Sequence, residues 1–480
     1  MTFPVPPSVR PFNSRVLQDQ SCVAVSETGD HVFLSTKEIE LLETSVNAIP
    51  QKRIAELMSK NFLSSNVTGA GTQRLIRSRQ AARQATGRDG PSLHIIIPTL
   101  QCAHSCKYCQ VSRSLNDTGH TMSLQALESV CRSIFDSSSP TLTVEFQGGD
   151  PLLRFDMVRH AVLRISELNQ REQRNIRFVI ASTLHQLTPE MCDFFKEHGA
   201  VLSTSVDGPK ELHNKNRPTP SRDSYERTLA GITLAREVMG VHSVSALMTT
   251  TKESLLHPEA IVDEYVRLGF NEIFLRPLSS YGFAKRNQAI LGYSPEAFME
   301  FYRRALNRVL EWCRKGVAIR EVYASILLNK MLSTFDAGYV DLQSPSGSGR
   351  SVLVYNYDGY MYPSDEARML VETGDVSLRL GPIGMSLNEL QTSSVQLAIN
   401  AASKVTEIDD CKTCVYNKFC APNPVDAQAQ HSNMFKEPTS TEHCFRHRQL
   451  FDEMYVRLKN ADEFELDLLH SWAQPSQAVG

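Results

Sequence analysis

The chain of 480 residues is 41% hydrophobic and 21% charged, with a formal net charge of −3 at pH 7. This balance predicts a globular protein of two to four domains and argues against nucleic acid or an anionic membrane as a partner. No apolar run approaches the ~20 residues that span a bilayer, and the first residues lack the apolar centre of a signal peptide. We therefore expect a cytoplasmic protein, whose clustered cysteines bind metal or catalyse reactions rather than form disulfides.

The first 90 residues predict a small α+β domain. Residues 23–35 contain two short strands around a turn, and residues 36–46 and 51–63 have the periodicity of amphipathic helices. Such a unit can bind a peptide by strand addition or in a helical groove, or it can simply pack against the rest of the protein. The basic segment 74–88 is interpreted as a solvated helix face or linker.

The next part of the chain, 91–285, predicts an α/β fold with a parallel sheet. Six short apolar runs alternate with segments of helical periodicity, as is typical of a parallel sheet covered by helices. The six runs are 94–100, 142–147, 176–182, 201–206, 242–250 and 272–278. Because six units are too few for an eightfold barrel, we expect a partial (β/α)6 barrel with functional loops at the C-terminal ends of its strands.

The remaining chain predicts a helical connector and a second domain. Residues 351–365 predict a β-hairpin that turns at Asp358 and Gly359. The end of the chain is expected to form a helix and a tail. The predicted boundaries are therefore 1–90, 91–285, 286–340, 341–450 and 451–480.

Cys102, Cys106 and Cys109 lie in one loop after the first predicted strand. Three thiolates at the spacing C-x-x-x-C-x-x-C can hold three irons of a [4Fe-4S] cluster and leave the fourth iron open, because such clusters usually take four cysteines. For the motif in isolation, a zinc knuckle is the alternative. S-adenosylmethionine can chelate the open iron, and its reductive cleavage would give a 5′-deoxyadenosyl radical.

This motif, with Tyr108 before its last cysteine, resembles the signature of the radical SAM superfamily. After the second predicted strand, the run Gly148, Gly149, Asp150 and Pro151 resembles the G-G-E-P motif of that family. The resemblance implies that this run contacts the methionine part of the cofactor. The family acid is glutamate, and the aspartate here is one methylene shorter.

Residues 203–218 resemble a segment of radical SAM enzymes that modify peptides and proteins. The resemblance implies that Ser205 lies by the cofactor ribose and that Asp207 and Arg217 shape the mouth of the pocket. A polar strand end and loop without any role would contain the same residue types. Ser182, at the end of the third predicted strand, is a further candidate for cofactor binding.

Four cysteines near the C-terminus, Cys411, Cys414, Cys420 and Cys444, can close a metal site. Their spacing alone fits structural Zn²⁺ and a [4Fe-4S] cluster equally well. The arrangement resembles the C-terminal SPASM domain of peptide-modifying radical SAM enzymes, which implies one auxiliary [4Fe-4S] cluster.

A second auxiliary cluster, which occurs in anaerobic sulfatase-maturating enzymes, is predicted to be absent. Ser364 stands where the resemblance leads us to expect a cysteine, and Pro424 occupies another such position. Asp365 is adjacent to Ser364. The resemblance to the sulfatase maturases implies that Asp365 acts as a general base toward the substrate side chain. An exposed turn residue at this position would have no catalytic role.

Over most of residues 10–450, including 102–113, 145–153 and 355–370, the chain resembles the radical SAM maturases of His-Xaa-Ser peptide systems. The resemblance implies an oxidoreductase-type enzyme that modifies a ribosomally made precursor peptide by a crosslink or an oxidation. The implied partners are a low-potential electron donor such as flavodoxin or ferredoxin and a second maturase. The alternatives are a formylglycine-generating sulfatase maturase and a non-catalytic, metal-binding peptide carrier.

Overall fold

Among the described residues, a large hydrophobic core includes side chains from the N-terminal strands to the last helix, and three smaller clusters lie apart from it, one of them within the N-terminal unit. The computed structural model describes residues 7–64, 69–85, 87–111, 113–116, 118–279, 281–333 and 338–474. Within these ranges no helix is both long and apolar enough to cross a bilayer.

The N-terminal unit contains the two strands and two helices that the sequence predicts, together with further short strands. Its helix α1 begins after Ser35, whose hydroxyl accepts a hydrogen bond from the Glu38 amide while the Glu38 carboxylate accepts one from the Ser35 amide. Strand β3 lies between β2 and β4, and β1 pairs with β5. The elements are β1 Ser8–Val9, β2 Phe12–Val16, β3 Cys22–Ser26, β4 His31–Leu34, α1 Thr36–Thr44, α2 Gln51–Ser59, β5 Leu63–Ser64 and α3 Gly69–Ala85.

All six predicted apolar runs form parallel strands of one sheet, which confirms the partial barrel. The strands, in the order in which they pair, are β6 Leu93–Thr99, β7 Thr141–Gly148, β8 Asn175–Ala181, β9 Val201–Ser205, β10 Val244–Thr249 and β12 Leu275–Arg276. The last predicted run, 272–278, is divided. Its first part, β11 Glu272–Ile273, leaves the barrel sheet and pairs with β13 Arg320–Glu321.

Helices cover this sheet, as the alternating pattern predicts. Ser123 and Thr188 cap the first turns of α4 and α6 through their side-chain oxygens. Cys131 and Cys192 are fully buried on these two helices, in agreement with their interpretation as core residues. The helices between the barrel strands are α4 Leu124–Ser133, α5 Phe155–Glu172, α6 Pro189–Glu197, α7 Lys210–Asn216, α8 Ser224–Met239 and α9 Pro258–Arg267.

The predicted hairpin, β14 Val352–Tyr355 and β15 Tyr360–Tyr362, extends the barrel sheet instead of standing apart from it. Strand β14 pairs in parallel with β6, and β15 pairs with the short strand β16 Gly381–Pro382. Gly359 has φ +84°, a conformation that favours glycine in the predicted turn. The first barrel strand is therefore hydrogen-bonded on both sides, which fixes the loop that follows it.

The other helices form the connector and the C-terminal part of the molecule. Helix α12 packs against α19, and α13 packs against α20. These helices are α10 Gly282–Arg286, α11 Gln288–Leu291, α12 Pro295–Arg314, α13 Val322–Leu332, α14 Asp365–Met369, α15 Leu387–Gln391, α16 Ser394–Ser403, α17 Asp409–Lys412, α18 Pro424–His431, α19 Glu442–Asn460 and α20 Glu463–Trp472.

Candidate active site

A cavity of ≈ 580 Å³ contains the three clustered cysteines, Cys102, Cys106 and Cys109, on its wall. They lie in the loop after β6, at the C-terminal end of the barrel, where (β/α) barrels carry their functional residues. Burial raises the pKa of Cys106 to about 12. Burial, the Asp150 carboxylate and the neighbouring Cys106 raise the pKa of Cys102 well above its usual range. The cation of a metal cluster would favour the thiolate forms of these ligands.

Backbone contacts hold this cysteine loop on two sides. The Ser105 amide donates to the Pro218 carbonyl at 2.9 Å, and the Cys109 carbonyl accepts from the Phe283 amide at 2.8 Å. Gly282 allows the second contact, because a β-carbon there would lie 2.1 Å from a carbonyl oxygen of the loop. Sequence reasoning did not select Gly282, which lies 173 residues after Cys109, although the stretch 273–284 around it belongs to the resemblance to the His-Xaa-Ser maturases.

Gly148 and Gly149 line the cavity and allow the end of β7 to approach the cysteine loop. A β-carbon at Gly148, which has φ +118°, would lie 2.3 Å from the Thr99 carbonyl oxygen. At Gly149 it would lie 2.2 Å from the Gln101 carbonyl oxygen. These two positions therefore require glycine for backbone packing, independently of any cofactor contact.

Asp150 is fully buried behind the cavity wall. Its carboxylate accepts hydrogen bonds from the hydroxyls of Ser182, at 2.7 Å, and Thr183, at 2.5 Å. It also accepts from the Leu152 amide and so caps the turn that begins at Pro151. Ser182 and Thr183 line the cavity, so the structure gives Asp150 the role of connecting β7 with the end of β8.

Tyr108, Asp207 and Arg217 form a buried cluster beside the cysteines. The Tyr108 hydroxyl donates to both carboxylate oxygens of Asp207, at 2.7 and 2.8 Å. Arg217 donates to Asp207 at 3.3 Å and lies 5.3 Å from the Tyr108 ring centre. Tyr108, Arg217 and Ser205 line the cavity, whereas Asp207 is fully buried behind it. The Arg217 cation lowers the pKa of Cys106, which burial raises.

His104 lies between the cysteines and was not selected from the sequence. Its side chain lines the cavity yet is buried, and its Nε2 lies 2.9 Å from Nε2 of His185. Burial lowers the pKa of His104 to about 2, so the ring is neutral. Its position between Cys102 and Cys106 is the feature of the sequence that could have identified it as a residue of the site.

Carboxylates form another part of the cavity wall. The carboxylates are those of Glu145, Asp341, Asp365 and Glu366, and the guanidinium of Arg276 also lines this part of the wall. Burial raises the pKa of Glu145 to about 7, assisted by the negative charge of Asp365. Burial and Asp341 raise the pKa of Glu366. Sequence reasoning missed both glutamates, although Glu145 is a charged residue within an apolar strand.

Asp365, the candidate base, lies at the start of α14 and lines the cavity. Its Oδ1 accepts a hydrogen bond of 2.9 Å from Nε of Arg368, a fully buried residue one turn later. Ser364 also lines the cavity, and its hydroxyl caps the helix.

The four C-terminal cysteines line a second cavity of ≈ 280 Å³. Helix α19 brings Cys444 to the segment that contains Cys411, Cys414 and Cys420. Burial and the nearby Cys414 and Cys444 raise the pKa of Cys411 to about 12. Thiolates are the usual ligands of iron-sulfur clusters, so the donor chemistry of both cavities fits such clusters. Among the described residues, no group of three or more His, Cys, Asp or Glu is arranged to hold a single metal ion.

The sequence of the barrel matches a known superfamily. Residues 96–276 match the profile of the Radical SAM superfamily. This range contains the partial barrel and the three-cysteine loop, so this part of the chain is a radical SAM domain.

Curated relatives are distant. An uncharacterized protein of Archaeoglobus fulgidus is 24% identical over 346 residues, which cover 71% of this chain and 76% of that protein. A serine-type anaerobic sulfatase-maturating enzyme of Klebsiella aerogenes is 23% identical over 359 residues, which cover 72% of this chain and 82% of the enzyme.

Solved structures share the fold. The enzyme anSMEcpe with bound AdoMet and the Kp18Cys peptide aligns with a TM-score of 0.64 at 17% identity, over 79% of this chain and 100% of that chain. Streptococcus suis SuiB bound to its precursor peptide SuiA aligns with a TM-score of 0.54 at 15% identity, over 90% and 99% of the two chains. At these identities the comparison establishes the fold alone, which this chain shares with both proteins over most of its length.

Proposed function

We propose that this protein is a radical SAM enzyme that modifies a ribosomally made precursor peptide of the His-Xaa-Ser type. The observation that carries the proposal is that the three-cysteine loop and a group of carboxylates line one ≈ 580 Å³ cavity. When bound, a [4Fe-4S] cluster with S-adenosylmethionine would supply a radical able to abstract hydrogen from a peptide. The product would be a crosslink or an oxidised residue.

The chain's own residues would bind and orient the cofactor. Cys102, Cys106 and Cys109 would bind three irons, and the Tyr108 cluster behind them would hold the loop in place. Gly148, Gly149, Ser182 and Ser205 line the cavity and would contact S-adenosylmethionine. Asp150, Pro151 and Asp207 would act from behind the wall, since the cavity lining does not include them.

Carboxylates of the cavity would move a proton. Asp365 would accept a proton from the substrate side chain, as its resemblance to the base of sulfatase maturases implies. Glu145 is a second candidate, because a pKa of about 7 allows a carboxylate to accept and release protons near neutral pH.

Other parts of the chain would supply the electron path and the peptide contacts. Cys411, Cys414, Cys420 and Cys444 would hold one auxiliary [4Fe-4S] cluster for electron transfer. The N-terminal unit would bind the precursor, a proposal supported by the fold shared with SuiB, whose structure contains its precursor peptide SuiA. A flavodoxin or ferredoxin would deliver electrons, and a second maturase would act on the same peptide in the cytoplasm.

A sulfatase-maturating activity is the second candidate. The observation in its favour is the similarity to such enzymes, including a cysteine-type enzyme of Clostridium perfringens of which the alignment covers 98%. The number of cysteines argues against this activity, because the second auxiliary cluster of sulfatase maturases needs further cysteine ligands. Beyond the seven clustered cysteines the chain has Cys22, Cys131, Cys192 and Cys313, and all four are buried in the core.

Co-expression with the small precursor gene of the same genomic neighbourhood tests the proposal. We expect a mass change of the peptide, located by tandem mass spectrometry, that requires Cys106 and is absent with Cys106→Ala. A parallel incubation with Cys- and Ser-containing sulfatase peptides should leave their masses unchanged. Conversion of a sulfatase peptide, with an unchanged precursor, would favour the second candidate instead.

A further inference from the structure

The auxiliary cavity has a wall that comes from the opposite end of the chain. Ser14 and Arg15, on β2 of the N-terminal unit, line the cavity that contains the four C-terminal cysteines. Strand β2 is an edge strand of its sheet, so one side of it is open to contacts with another part of the molecule. The N-terminal sheet therefore closes a site whose thiols all come from the C-terminal domain.

Asn13 holds the segment that contains the first two cysteines of this site. Its side-chain amide donates to the carbonyl oxygens of Lys412, at 3.2 Å, and Cys414, at 3.1 Å. The first of these contacts joins positions 399 residues apart in the sequence. One amide group thus binds two carbonyls of the turn between Cys411 and Cys414, which restricts the movement of both thiols.

Arg15 connects this segment with the helix that carries Cys444. Its guanidinium forms two parallel hydrogen bonds with Asp452, each of 3.1 Å, in the fork geometry that arginine favours. The Tyr416 hydroxyl donates to the same carboxylate. Asp452 is two turns beyond Cys444 on α19, and its side chain is 3% exposed. The carboxylate therefore joins the N-terminal strand, the cysteine segment and α19 at one buried point.

We propose that Asn13 and Arg15 are positioning residues of the auxiliary site. They hold the turn at 411–414 and the helix with Cys444 in position relative to each other, so that the four thiols would bind one [4Fe-4S] cluster. The N-terminal unit is thus part of the auxiliary centre, in addition to any peptide that it binds. This inference rests on the auxiliary cluster of the proposed function.

A variant that retains only the auxiliary cluster tests the inference. In the full chain, Cys102→Ala, Cys106→Ala and Cys109→Ala together remove the first cluster, so that bound iron after anaerobic reconstitution reports the second cluster alone. Adding Asn13→Ala and Arg15→Gln should make release of this iron to a chelator about tenfold faster, because loss of outer partners of metal ligands lowers metal affinity by at least about that factor. The electron paramagnetic resonance spectrum of the reduced cluster should also change, because its thiolate geometry changes.

A conservative variant and a matched control variant separate an effect on the auxiliary site from a general loss of stability in the N-terminal unit. Arg15→Lys keeps the charge but loses the bidentate fork, so we expect an intermediate release rate. Arg53→Gln removes the ion pairs of Arg53 with Glu38 and Glu56, which lie in the same unit and do not line the auxiliary cavity. It should leave the release rate unchanged while lowering the melting temperature.

The outcomes distinguish the inference from the function on which it rests. If the parent variant binds no four-iron cluster, the assignment of an auxiliary cluster in the proposed function is wrong. If the parent binds the cluster and the variant with Asn13→Ala and Arg15→Gln releases iron at the parent rate, the inference is overturned. Equal acceleration in Arg53→Gln would overturn the specific role of Asn13 and Arg15.

Discussion

At the scale of single residues, Asp365 and Glu145 line the same cavity in different surroundings. Asp365 pairs with the buried guanidinium of Arg368. Glu145 accepts a hydrogen bond of 2.8 Å from the neutral side-chain amide of Gln147 in the same strand, and burial raises its pKa to about 7. We therefore expect Glu145, together with Glu366, whose pKa is also raised by burial, to determine the pH dependence of the reaction near neutrality.

Glu145→Gln tests this expectation, since glutamine has nearly the same volume but cannot accept the proton. In the unmodified enzyme, peptide modification should increase as pH rises through about 7, because the carboxylate ionises there. The variant should depend less on pH, since only Glu366 keeps a raised pKa in the cavity wall, and should slow by roughly 100-fold, while formation of 5′-deoxyadenosine without peptide stays the same. Glu190→Gln, on the exposed start of α6, is the control. A pH profile that is unchanged in Glu145→Gln would contradict the assignment.

Cys106→Ala should abolish reductive cleavage of S-adenosylmethionine, because the cluster loses one of its three protein ligands. Bound iron should fall from about eight to about four per chain, since the auxiliary site is untouched. Chromatography of 5′-deoxyadenosine and iron analysis provide the measurements. Cys192→Ala, which removes a fully buried thiol of the core, should retain both clusters. Continued cleavage in Cys106→Ala would exclude a radical SAM mechanism that depends on this loop.

At the scale of secondary-structure elements, the contact between β7 and the cysteine loop is made by backbone rather than by side chains. The Gly149 amide donates to the Thr99 carbonyl at 2.9 Å, and the Asp150 amide donates to the Gln101 carbonyl at 2.7 Å. A side chain at Gly149 would separate the two elements. The position of the thiols thus depends on a neighbouring strand.

Gly149→Ala should therefore displace the cysteine loop. Its β-carbon would lie 2.2 Å from the Gln101 carbonyl oxygen, which is backbone and cannot turn away. We expect a loss of about 1–3 kcal/mol in the free energy of unfolding and weaker binding of S-adenosylmethionine, measured by thermal melting and by equilibrium dialysis. Gly71→Ala, in α3 with no heavy atom within 4 Å of the new β-carbon, is the matched control. Equal effects of the two substitutions would contradict the steric argument.

At the scale of the whole molecule, the C-terminal hairpin continues the sheet of the barrel. In the part of the chain that the structure describes, nine strands form one sheet, in which β14 pairs with β6, the strand that precedes the cysteine loop. Asp365 follows this hairpin, so its distance from the loop is set by hydrogen bonds within a single sheet. The hairpin that precedes Asp365 and the strand that precedes the cysteine loop therefore belong to the same sheet.

The metal content of the whole chain distinguishes the enzyme from a zinc-binding carrier. Anaerobic reconstitution should give about eight irons and eight sulfides per chain, whereas two structural zinc sites would give about two zincs. S-adenosylmethionine should then raise the melting temperature of the reconstituted chain, because a ligand that binds only the folded state stabilises it. Removal of iron with a chelator should abolish this increase. Two zincs and little iron would contradict both cluster assignments.

Local patterns in the sequence predicted the elements that depend on interactions between residues close together in the chain. The six apolar runs became barrel strands, the turn at Gly359 became a hairpin, and the spacing of Cys102, Cys106 and Cys109 placed them on one loop. Each of these features follows from short-range periodicity, turn chemistry or ligand spacing. The assignment of individual cofactor contacts still depends on the family resemblance.

The sequence by itself determined the partial barrel and the two groups of cysteines, because strand periodicity and ligand spacing depend on residues that are close together in the chain. Only the tertiary structure decided which distant groups meet. It brought Glu145 and Asp365 to one cavity wall, buried Asp150 and Asp207 behind that wall, and joined strand β2 to the auxiliary cysteines. Long-range contacts of this kind arise from the packing of sheets and helices, and a side chain's burial and charge partners have no local signature in the chain.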